Sequence, residues 1–125
     1  RSDSIFNHCQ LINSNDVWNF LEKKGFKKFK LSSIDFKDQV SLFNSAKIVV
    51  GAHGAGLANT IFSNSNTKIV EIKPNNHKNK FINKISKINN LDHKVMISNY
   101  DQLDQKNLAE DIFVNLDELE KNIDN

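Results

Sequence analysis

Apolar residues along the chain alternate between two spacings, one typical of amphipathic helices and the other of buried strands. Apolar side chains three or four residues apart predict helices over 16–24, 35–45, 57–62, 78–89 and 115–123. Short apolar or alternating runs predict strands over 27–31, 48–50, 68–72, 93–97 and 112–114, with a polar loop over 99–107. This order predicts an α/β fold, a Rossmann-like doubly wound parallel sheet with helices on both faces.

Residues with a preference for helix ends stand at three of the predicted boundaries. Gly25 follows the first helix, where a glycine accepts the left-handed conformation that closes a helix. Asp35 and Asp38 have the spacing of a capping box at the start of the second helix, and Asn115 is placed to cap the last one.

One stretch combines a buried strand with a cluster of glycines. The β-branched run 48–50 stops at Gly51, and three of the four glycines of the chain lie in the segment G-A-H-G-A-G, Gly51 to Gly56, called here the glycine turn. A strand, a glycine turn and a helix start place free N–H groups and the positive end of a helix dipole together. The stretch therefore predicts an anion site at the carboxyl end of a strand.

Length and charge narrow the classes of protein. The 125 residues suffice for one domain, and a balanced net charge of +2 argues against a partner nucleic acid. No apolar run approaches the ~20 residues of a membrane span, so we expect no transmembrane segment here. The chain begins at Arg1 rather than Met, and we expect it to be a fragment of a longer protein. The single cysteine, Cys9, excludes an internal disulfide and is expected to be an ordinary buried thiol.

The glycine spacing alone leaves the ligand open. The glycine turn is neither G-x-G-x-x-G nor a Walker A loop, and Glu71 is the one candidate for the acidic residue that would read a ribose. This indicates a nucleotide or phosphate site. Two interpretations of such a site are a non-catalytic nucleotide- or phosphate-binding Rossmann-like module and an NAD-dependent dehydrogenase, for which the fingerprint is imperfect.

The motif around the glycine turn resembles glycosyltransferase family 61. The family's stretch has an upstream Gln, a Leu-Phe with Ala, His-Gly-Ala-Gly with Leu and Asn, a Phe, and a strand that ends in Glu. The matching positions here are Gln39, Leu42, Phe43, Ala46, His53, Gly54, Ala55, Gly56, Leu57, Asn59, Phe62 and Glu71. Arg1, Asn13 and Gly25-Phe26 also stand where the family has such residues, so the resemblance covers about residues 1–97.

The chain departs from the family in the segment before the first helix. The family usually has a second Arg after the first one and an acidic residue beside the Asn. Here Asn7 and His8 occupy the intervening stretch, and Ser14 follows Asn13.

The resemblance implies a two-lobed enzyme of the GT-B type, of which residues 1–125 would be the nucleotide-sugar-binding C-terminal lobe. Residues 99–125 show only a general strand–helix pattern. The implied reaction is an inverting transfer of a hexose or pentose to a glycan or other acceptor, with no metal and no cofactor besides the nucleotide-sugar substrate. It implies surface or capsular polysaccharide synthesis in a bacterial cytoplasm, with membrane association only through missing parts. Partners would be the donor, the glycan acceptor and the missing N-terminal lobe, and the isolated fragment is expected to be inactive.

The roles of single residues follow from the resemblance and from the needs of a metal-free reaction, which must stabilise the leaving diphosphate with dipoles and cations. His53 is the catalytic candidate, placed to hydrogen-bond a phosphate or donor-sugar oxygen. The other substrate-binding candidates are Arg1 for the phosphates, Gly54, Ala55 and Gly56 through their backbone N–H groups, Asn59 to orient the loop, and Glu71 for ribose hydroxyls.

Each of these residues also has a simpler interpretation. His53 could hydrogen-bond its own loop, Glu71 could be a solvated charge at a strand end, and Arg1 could be a frayed terminus. The other histidines, His8, His77 and His93, lack metal-ligand spacing and are expected at the surface or in packing. Trp18 and the phenylalanines are expected in the core.

Overall fold

The fold is described from a computed structural model, in which residues 11–74, 78–98 and 111–125 are described. Arg1, Cys9, His8 and His77 lie outside these residues, as does the predicted loop over 99–107.

Most of the predicted helices and strands are confirmed within one to three residues. Among the described residues, the α-helices are α1 (Ser14–Lys23), α2 (Phe36–Ser45), α3 (Phe81–Asn89) and α4 (Leu116–Asp124). The strands in the same part of the chain are β1 (Ile48–Ala52), β2 (Lys68–Lys73) and β3 (Asp92–Ile97). The predicted helix after the glycine turn is present as a 3-10 helix, Ala55–Phe62, and a second short 3-10 helix spans Leu31–Ser33.

The predicted strand over 27–31 is wrong. Residues 26–30 are irregular and enter the 3-10 turn Leu31–Ser33, where Ser33 donates to the Lys30 carbonyl from both its N–H and its hydroxyl. Phe29, which suggested a buried strand, is 47% exposed. A segment in which apolar residues alternate with lysines forms a strand only if a neighbouring strand supplies hydrogen-bond partners for its backbone. In the described residues, the strand pairings involve other segments of the chain.

The predicted strand over 112–114 is reduced to one isolated parallel bridge between Leu11 and Ile112. Two residues further on, the side chain of Asn13 takes the place of a strand neighbour. Its amide donates to the Val114 carbonyl at 2.9 Å, and its oxygen accepts from the Val114 N–H at 3.0 Å. The backbone of Val114 is thus satisfied without a further ladder.

The helix ends show two of the three predicted caps. The N–H of Gly25, at φ +85°, donates to the Glu22 carbonyl, and that of Phe26 donates to the Leu21 carbonyl, which is the Schellman pattern. Asn115 accepts from the Glu118 N–H at 3.1 Å. Asp35 occupies the N-cap of α2, but its side chain makes no capping hydrogen bond, so the predicted capping box is wrong.

The three strands form a parallel sheet in the order β1-β2-β3. The central strand β2 is buried from Ile69 to Lys73. The register sets Gly51 opposite Glu71 and Glu71 opposite Val95. Gly51, Glu71 and Val95 therefore lie on the same face of the sheet.

Helices cover both faces of the sheet. On one face Leu57 of the 3-10 helix and Ile82 of α3 pack against Ile69. On the other, α1 and α4 cover the strands, with a core that comprises Val17, Val70, Ile72, Met96, Ile112, Val114, Leu119 and Ile123. The Lys68 ammonium donates to the Ile123 carbonyl at 2.7 Å and so ties the sheet to the carboxyl end of α4.

This arrangement confirms the α/β prediction: a parallel sheet with helices on both faces, consistent with a Rossmann-like fold. In such sheets ligands bind beyond the carboxyl ends of the strands. Among the described residues no helix is long and apolar enough to cross a membrane.

Candidate functional site

The glycine turn lies at the carboxyl end of β1. The strand continues through Ala52, and the His53 N–H still donates to the Ile72 carbonyl at 2.7 Å, so the chain leaves the sheet only at Gly54. The 3-10 helix begins at Ala55, and the Leu57 N–H donates to the Gly54 carbonyl at 3.0 Å. His53 is therefore held by the sheet, while the next three residues form the exit from it.

Close approach explains two of the three glycines. A Cβ on Gly51 would come within 2.9 Å of Leu57 Cδ2, since the 3-10 helix folds back over the end of β1. A Cβ on Gly56 would come within 3.0 Å of Leu31 Cδ1. The small residues thus let the helix start lie directly on β1 and on the short 3-10 helix Leu31–Ser33 with the following Ile34, called here the 31–34 loop.

The exit from the sheet is open to solvent. Ala55 and Gly56 are exposed, whereas Leu57 beneath them is buried. The first N–H groups of a helix have no acceptor within that helix. Exposed backbone at this position can therefore meet an anionic ligand from solvent.

Behind the turn, a buried carboxylate lies between two imidazoles. Glu71 on β2 is 0% exposed. Its Oε1 accepts from Nδ1 of His53, and its Oε2 lies 2.8 Å from Nε2 of His93 on β3. We call Glu71, His53, His93 and the neighbouring Lys73 the histidine–glutamate cluster.

Glu71 is ionised in this cluster. Burial pushes the pKa of Glu71 upward, but the hydrogen bonds from His93 and His53 and the charge of Lys73 outweigh burial, and the pKa is lowered from its ordinary value. An ionised carboxylate only accepts hydrogen bonds, so His53 must carry a proton on Nδ1. In the neutral ring, Nε2 of His53 is then the acceptor.

The rest of the cluster fixes the His53 ring and adds one cation. Phe81 of α3 meets the imidazole edge-on, with ring centroids 5.6 Å apart. The Lys73 ammonium lies 3.8 Å from Glu71 Oε1 and donates to the Asn79 carbonyl. His53 itself is only 5% exposed, so its orientation is set by protein contacts rather than by solvent.

A second network ties the 3-10 helix to α2. The Asn59 amide donates to Gln39 Oε1 at 2.7 Å. The Gln39 amide donates in turn to the carbonyls of Leu31 and Ile34, at 3.0 and 2.9 Å. Gln39 thus links Asn59 through hydrogen bonds to the 31–34 loop, in which Leu31 lies close to Gly56.

The structure brings together most of the residues singled out from the sequence. His53, Gly54, Ala55 and Gly56 are consecutive at the sheet exit, Glu71 contacts His53, and Asn59 lies on the 3-10 helix that follows. Arg1 lies outside the described residues. The interpretation of Glu71 as a solvated charge is wrong, since its carboxylate is fully buried.

Sequence reasoning missed His93 and Lys73. His93 was expected at the surface or in packing, but it donates to Glu71, and its side chain is almost fully buried. Its signal was present in part: His93 opens the predicted strand over 93–97. What the sequence lacked was the register, which sets His93 opposite Ile69 and so on the same face as Glu71.

The histidine–glutamate cluster is held together by hydrogen bonds among its own side chains. Within 11–74, 78–98 and 111–125, no three His, Cys, Asp or Glu side chains are arranged to hold a metal ion. The carboxylate instead separates the two imidazoles, each through its own oxygen.

Comparisons with known proteins identify the family. A curated relative, the β-1,2-xylosyltransferase of Arabidopsis thaliana, is 43% identical over 42 residues, which are 34% of this chain but 8% of that protein. The chain thus spans a small part of the length of this relative. No solved structure gives a significant match. The family model described as Glycosyltransferase 61 matches residues 6–70, which include the glycine turn, β1 and most of the segment up to Glu71. Since this match covers more than half of the 125 residues, the chain belongs to glycosyltransferase family 61.

Proposed function

We propose that the chain is the donor-binding lobe of a GT-B glycosyltransferase, which moves a sugar from a nucleotide-sugar to a glycan or other acceptor by a metal-independent, inverting reaction. The observation that carries this proposal is the position of His53. It stands at the carboxyl end of β1, beside exposed helix-start backbone, with its ring fixed by the buried Glu71. Family membership supplies the reaction class, sugar transfer.

The diphosphate would lie against the backbone N–H groups of Gly54, Ala55 and Gly56. Several N–H donors that point the same way stabilise the charge that develops on a leaving diphosphate. Arg1 would add a planar cation suited to phosphate oxygens, as the family resemblance implies. Neither contribution would need a metal ion.

The proposed role of His53 follows from its tautomer. Because Nδ1 is committed to Glu71, the ring would act on substrate through Nε2, which is an acceptor in the neutral ring and donates to a phosphate or sugar oxygen only in the doubly protonated imidazolium form. Glu71 then serves His53. We replace the ribose contact expected for Glu71 with this orienting role, since both of its oxygens already accept hydrogen bonds.

The acceptor, the sugar and the setting are proposed on resemblance. The plant relative is named as a transferase of xylose, a pentose, and we keep both pentose and hexose donors open for this chain. We place the protein in polysaccharide assembly in a bacterial cytoplasm because of the family resemblance alone. We further propose that an N-terminal lobe outside residues 1–125 would carry most of the acceptor site.

Nucleotide titration of the full-length protein tests the donor site. We expect UDP, GDP or another nucleoside diphosphate to raise the melting temperature, with EDTA present or absent, because a ligand that binds only the folded state stabilises it. CMP and NAD serve as competing ligands. Stabilisation that disappears in EDTA would contradict metal independence, and stabilisation by NAD alone would favour the dehydrogenase interpretation.

Two substitutions of His53 separate its binding role from its structural one. The amide of Asn occupies the position of Nδ1, so His53→Asn keeps the hydrogen bond to Glu71 but has no Nε2. We expect His53→Asn to melt near the wild-type temperature while its diphosphate affinity falls about tenfold or more, the loss of a hydrogen bond to a charged group. His53→Ala should lose both.

Two results would overturn the assignment. Unchanged diphosphate affinity in His53→Asn would show that Nε2 does not meet the donor. Diphosphate binding by the wild type without transfer or hydrolysis of any nucleotide-sugar would favour the non-catalytic module instead.

A further inference from the structure

The hydrogen bond between His93 and Glu71 has no part in the donor site described so far. His93 lies on β3, one strand beyond Glu71 and two strands beyond His53. Its Nε2 lies 2.8 Å from Glu71 Oε2, and its side chain is as buried as that of His53. His93 therefore shares the carboxylate of Glu71 with His53, the proposed catalytic residue, although it has no assigned role in donor binding.

We infer that His93 is a positioning residue: by donating to Oε2 of Glu71, it holds the carboxylate in the orientation in which Oε1 fixes the His53 imidazole at the glycine turn. The expected effect on diphosphate binding rests on the proposed donor-binding role of His53. The geometry that carries the inference, the imidazole–carboxylate–imidazole arrangement, stands in the structure itself.

One hydrogen bond would leave the carboxylate free to turn. The terminal torsion of a glutamate is soft and has broad, two-fold minima, so a donor on Oε1 alone does not fix the carboxylate plane. A second donor on Oε2, supplied by a rigid neighbouring strand, fixes it. Because His53 and His93 approach different oxygens, each limits the rotation that the other would allow.

Lys73 gives the carboxylate an alternative partner. Its ammonium lies 3.8 Å from Oε1, beyond hydrogen-bonding distance, and donates to the Asn79 carbonyl. Without His93, a fully buried carboxylate would have one imidazole and this cation as compensation. A short rotation toward Lys73 would shorten the ion pair and lengthen the hydrogen bond to His53, because both use Oε1.

If His93 has only a structural role, its variants should behave differently. If the side chain only filled space on β3, any residue of similar volume would serve, and the state of the His53 ring would not depend on it. If His93 positions Glu71, the state of the His53 ring depends on whether residue 93 has a hydrogen-bond donor that reaches Glu71, and not on the volume of its side chain. Three substitutions of His93 distinguish the two roles.

The first substitution, His93→Phe, keeps a ring but removes the donor. The second, His93→Gln, places an amide near the position of Nε2 and should restore the bond to Oε2. The third, His93→Asn, has the same amide one methylene shorter, so it should not reach. Lys94→Gln is the matched control, because Lys94 is the next residue on β3, faces the other side of the sheet and pairs with Asp92 at 3.3 Å.

The direct measurement is the imidazole nitrogen NMR spectrum of His53 in the full-length protein. We expect wild type, His93→Gln and Lys94→Gln to show the single tautomer protonated at Nδ1. His93→Phe and His93→Asn should show averaged tautomers and a weakened Nδ1–H resonance. The diphosphate affinity should fall about tenfold or more in these two variants, the effect of losing a hydrogen bond to a charged group, and should recover in His93→Gln.

The outcomes separate this inference from the donor proposal. If His93→Phe and His93→Asn keep the wild-type His53 spectrum, the inference is overturned, whatever the nucleotide binding. If the spectrum changes as expected but no nucleoside diphosphate binds even the wild type, the positioning role stands and the donor proposal fails. Should His93→Phe not fold, the comparison of His93→Gln with His93→Asn decides alone.

Discussion

At the scale of single residues, the site depends on the ionised carboxylate of Glu71, which is buried where loss of hydration disfavours a charge. Glu71 is at the centre of the sheet with no exposure to solvent. Such a carboxylate stays ionised only if hydrogen bonds and opposite charge replace its lost hydration. Two imidazoles and one ammonium do so here, and in return the carboxylate sets the proton of His53.

This buried charge makes stability depend on pH in a defined direction. The pKa of Glu71 is lowered from its ordinary value of 4.5 in the folded chain, chiefly because the two histidine hydrogen bonds and Lys73 outweigh the effect of burial. The unfolded chain therefore takes up the proton first as the pH falls. The contribution of Glu71 to stability is complete above 4.5 and is lost as the pH falls through the lower folded pKa.

Glu71→Gln tests this dependence. At neutral pH we expect the substitution to lower the free energy of unfolding by about 1–3 kcal/mol, as for a buried hydrogen-bonding group left poorly matched. The difference from wild type should shrink at pH values below 4.5. Urea denaturation over a pH series measures it, with the exposed Glu22→Gln on α1 as control. A difference that grows on acidification would contradict the explanation.

At the scale of elements, the glycine turn is held from two sides. The sheet holds it through the His53 N–H, which continues the pairing of β1 with β2. The network of Asn59 and Gln39 holds the 3-10 helix against α2 and the 31–34 loop. The exposed backbone between these two supports, at Ala55 and Gly56, can stay accessible to ligand without losing its conformation.

A double-mutant cycle measures the second support. We expect Gln39→Ala to cost more stability than Asn59→Ala, because Gln39 joins three partners and Asn59 donates to Gln39 alone. The double mutant should be more stable than the sum of the single effects implies, with a coupling of about 1 kcal/mol. Denaturant unfolding of the three variants gives the value.

An exposed link between the same two elements is the control for this cycle. The Asn44 amide of α2 donates to the Phe62 carbonyl at the end of the 3-10 helix, at 3.2 Å and in contact with solvent. Asn44→Ala should therefore have a much smaller effect. If Gln39 and Asn59 prove additive, the network does not act as a unit.

At the scale of the whole molecule, contacts between distant parts of the chain close the second helical layer. Asn13, before α1, binds both backbone groups of Val114, which is 101 positions away in sequence. The Ile12 N–H donates to the Ile112 carbonyl at 2.9 Å beside it. These bonds bring α1 and the start of α4 over the same face of the sheet. They also give a structural reason for the asparagine that the family resemblance marked at this position.

Asn13→Asp tests this closure with one atom. Asp is as good an N-cap residue for α1 as Asn, and its oxygen can still accept from the Val114 N–H, but it cannot donate to the Val114 carbonyl. We expect a loss of about 1–3 kcal/mol in the free energy of unfolding, from an unsatisfied and repelled carbonyl. Asn15→Ala, exposed on the same helix, is the control. Stabilisation by Asn13→Asp would show that capping matters more than the long-range bonds.

The sequence by itself determined the local elements and the stretch on which the site is built. Helical spacing, the β-branched runs, Gly25 and Asn115 fixed most helices, strands and caps, because those signals act between residues a few positions apart. The run of small residues in the glycine turn likewise marked the exit from β1. The two failures, the strands over 27–31 and 112–114, are segments whose fate depends on whether a distant partner supplies hydrogen bonds.

Only the tertiary structure decided which side chains share the buried carboxylate. His53, Glu71 and His93 are 18 and 22 positions apart, and no local pattern links them. The parallel register places them side by side on one face of the sheet, and the buried, ionised glutamate is stable there because both histidines donate hydrogen bonds to it. A shift of β3 by one residue would have turned His93 to the opposite face, so local sequence patterns could not show that His93 is the second partner of Glu71.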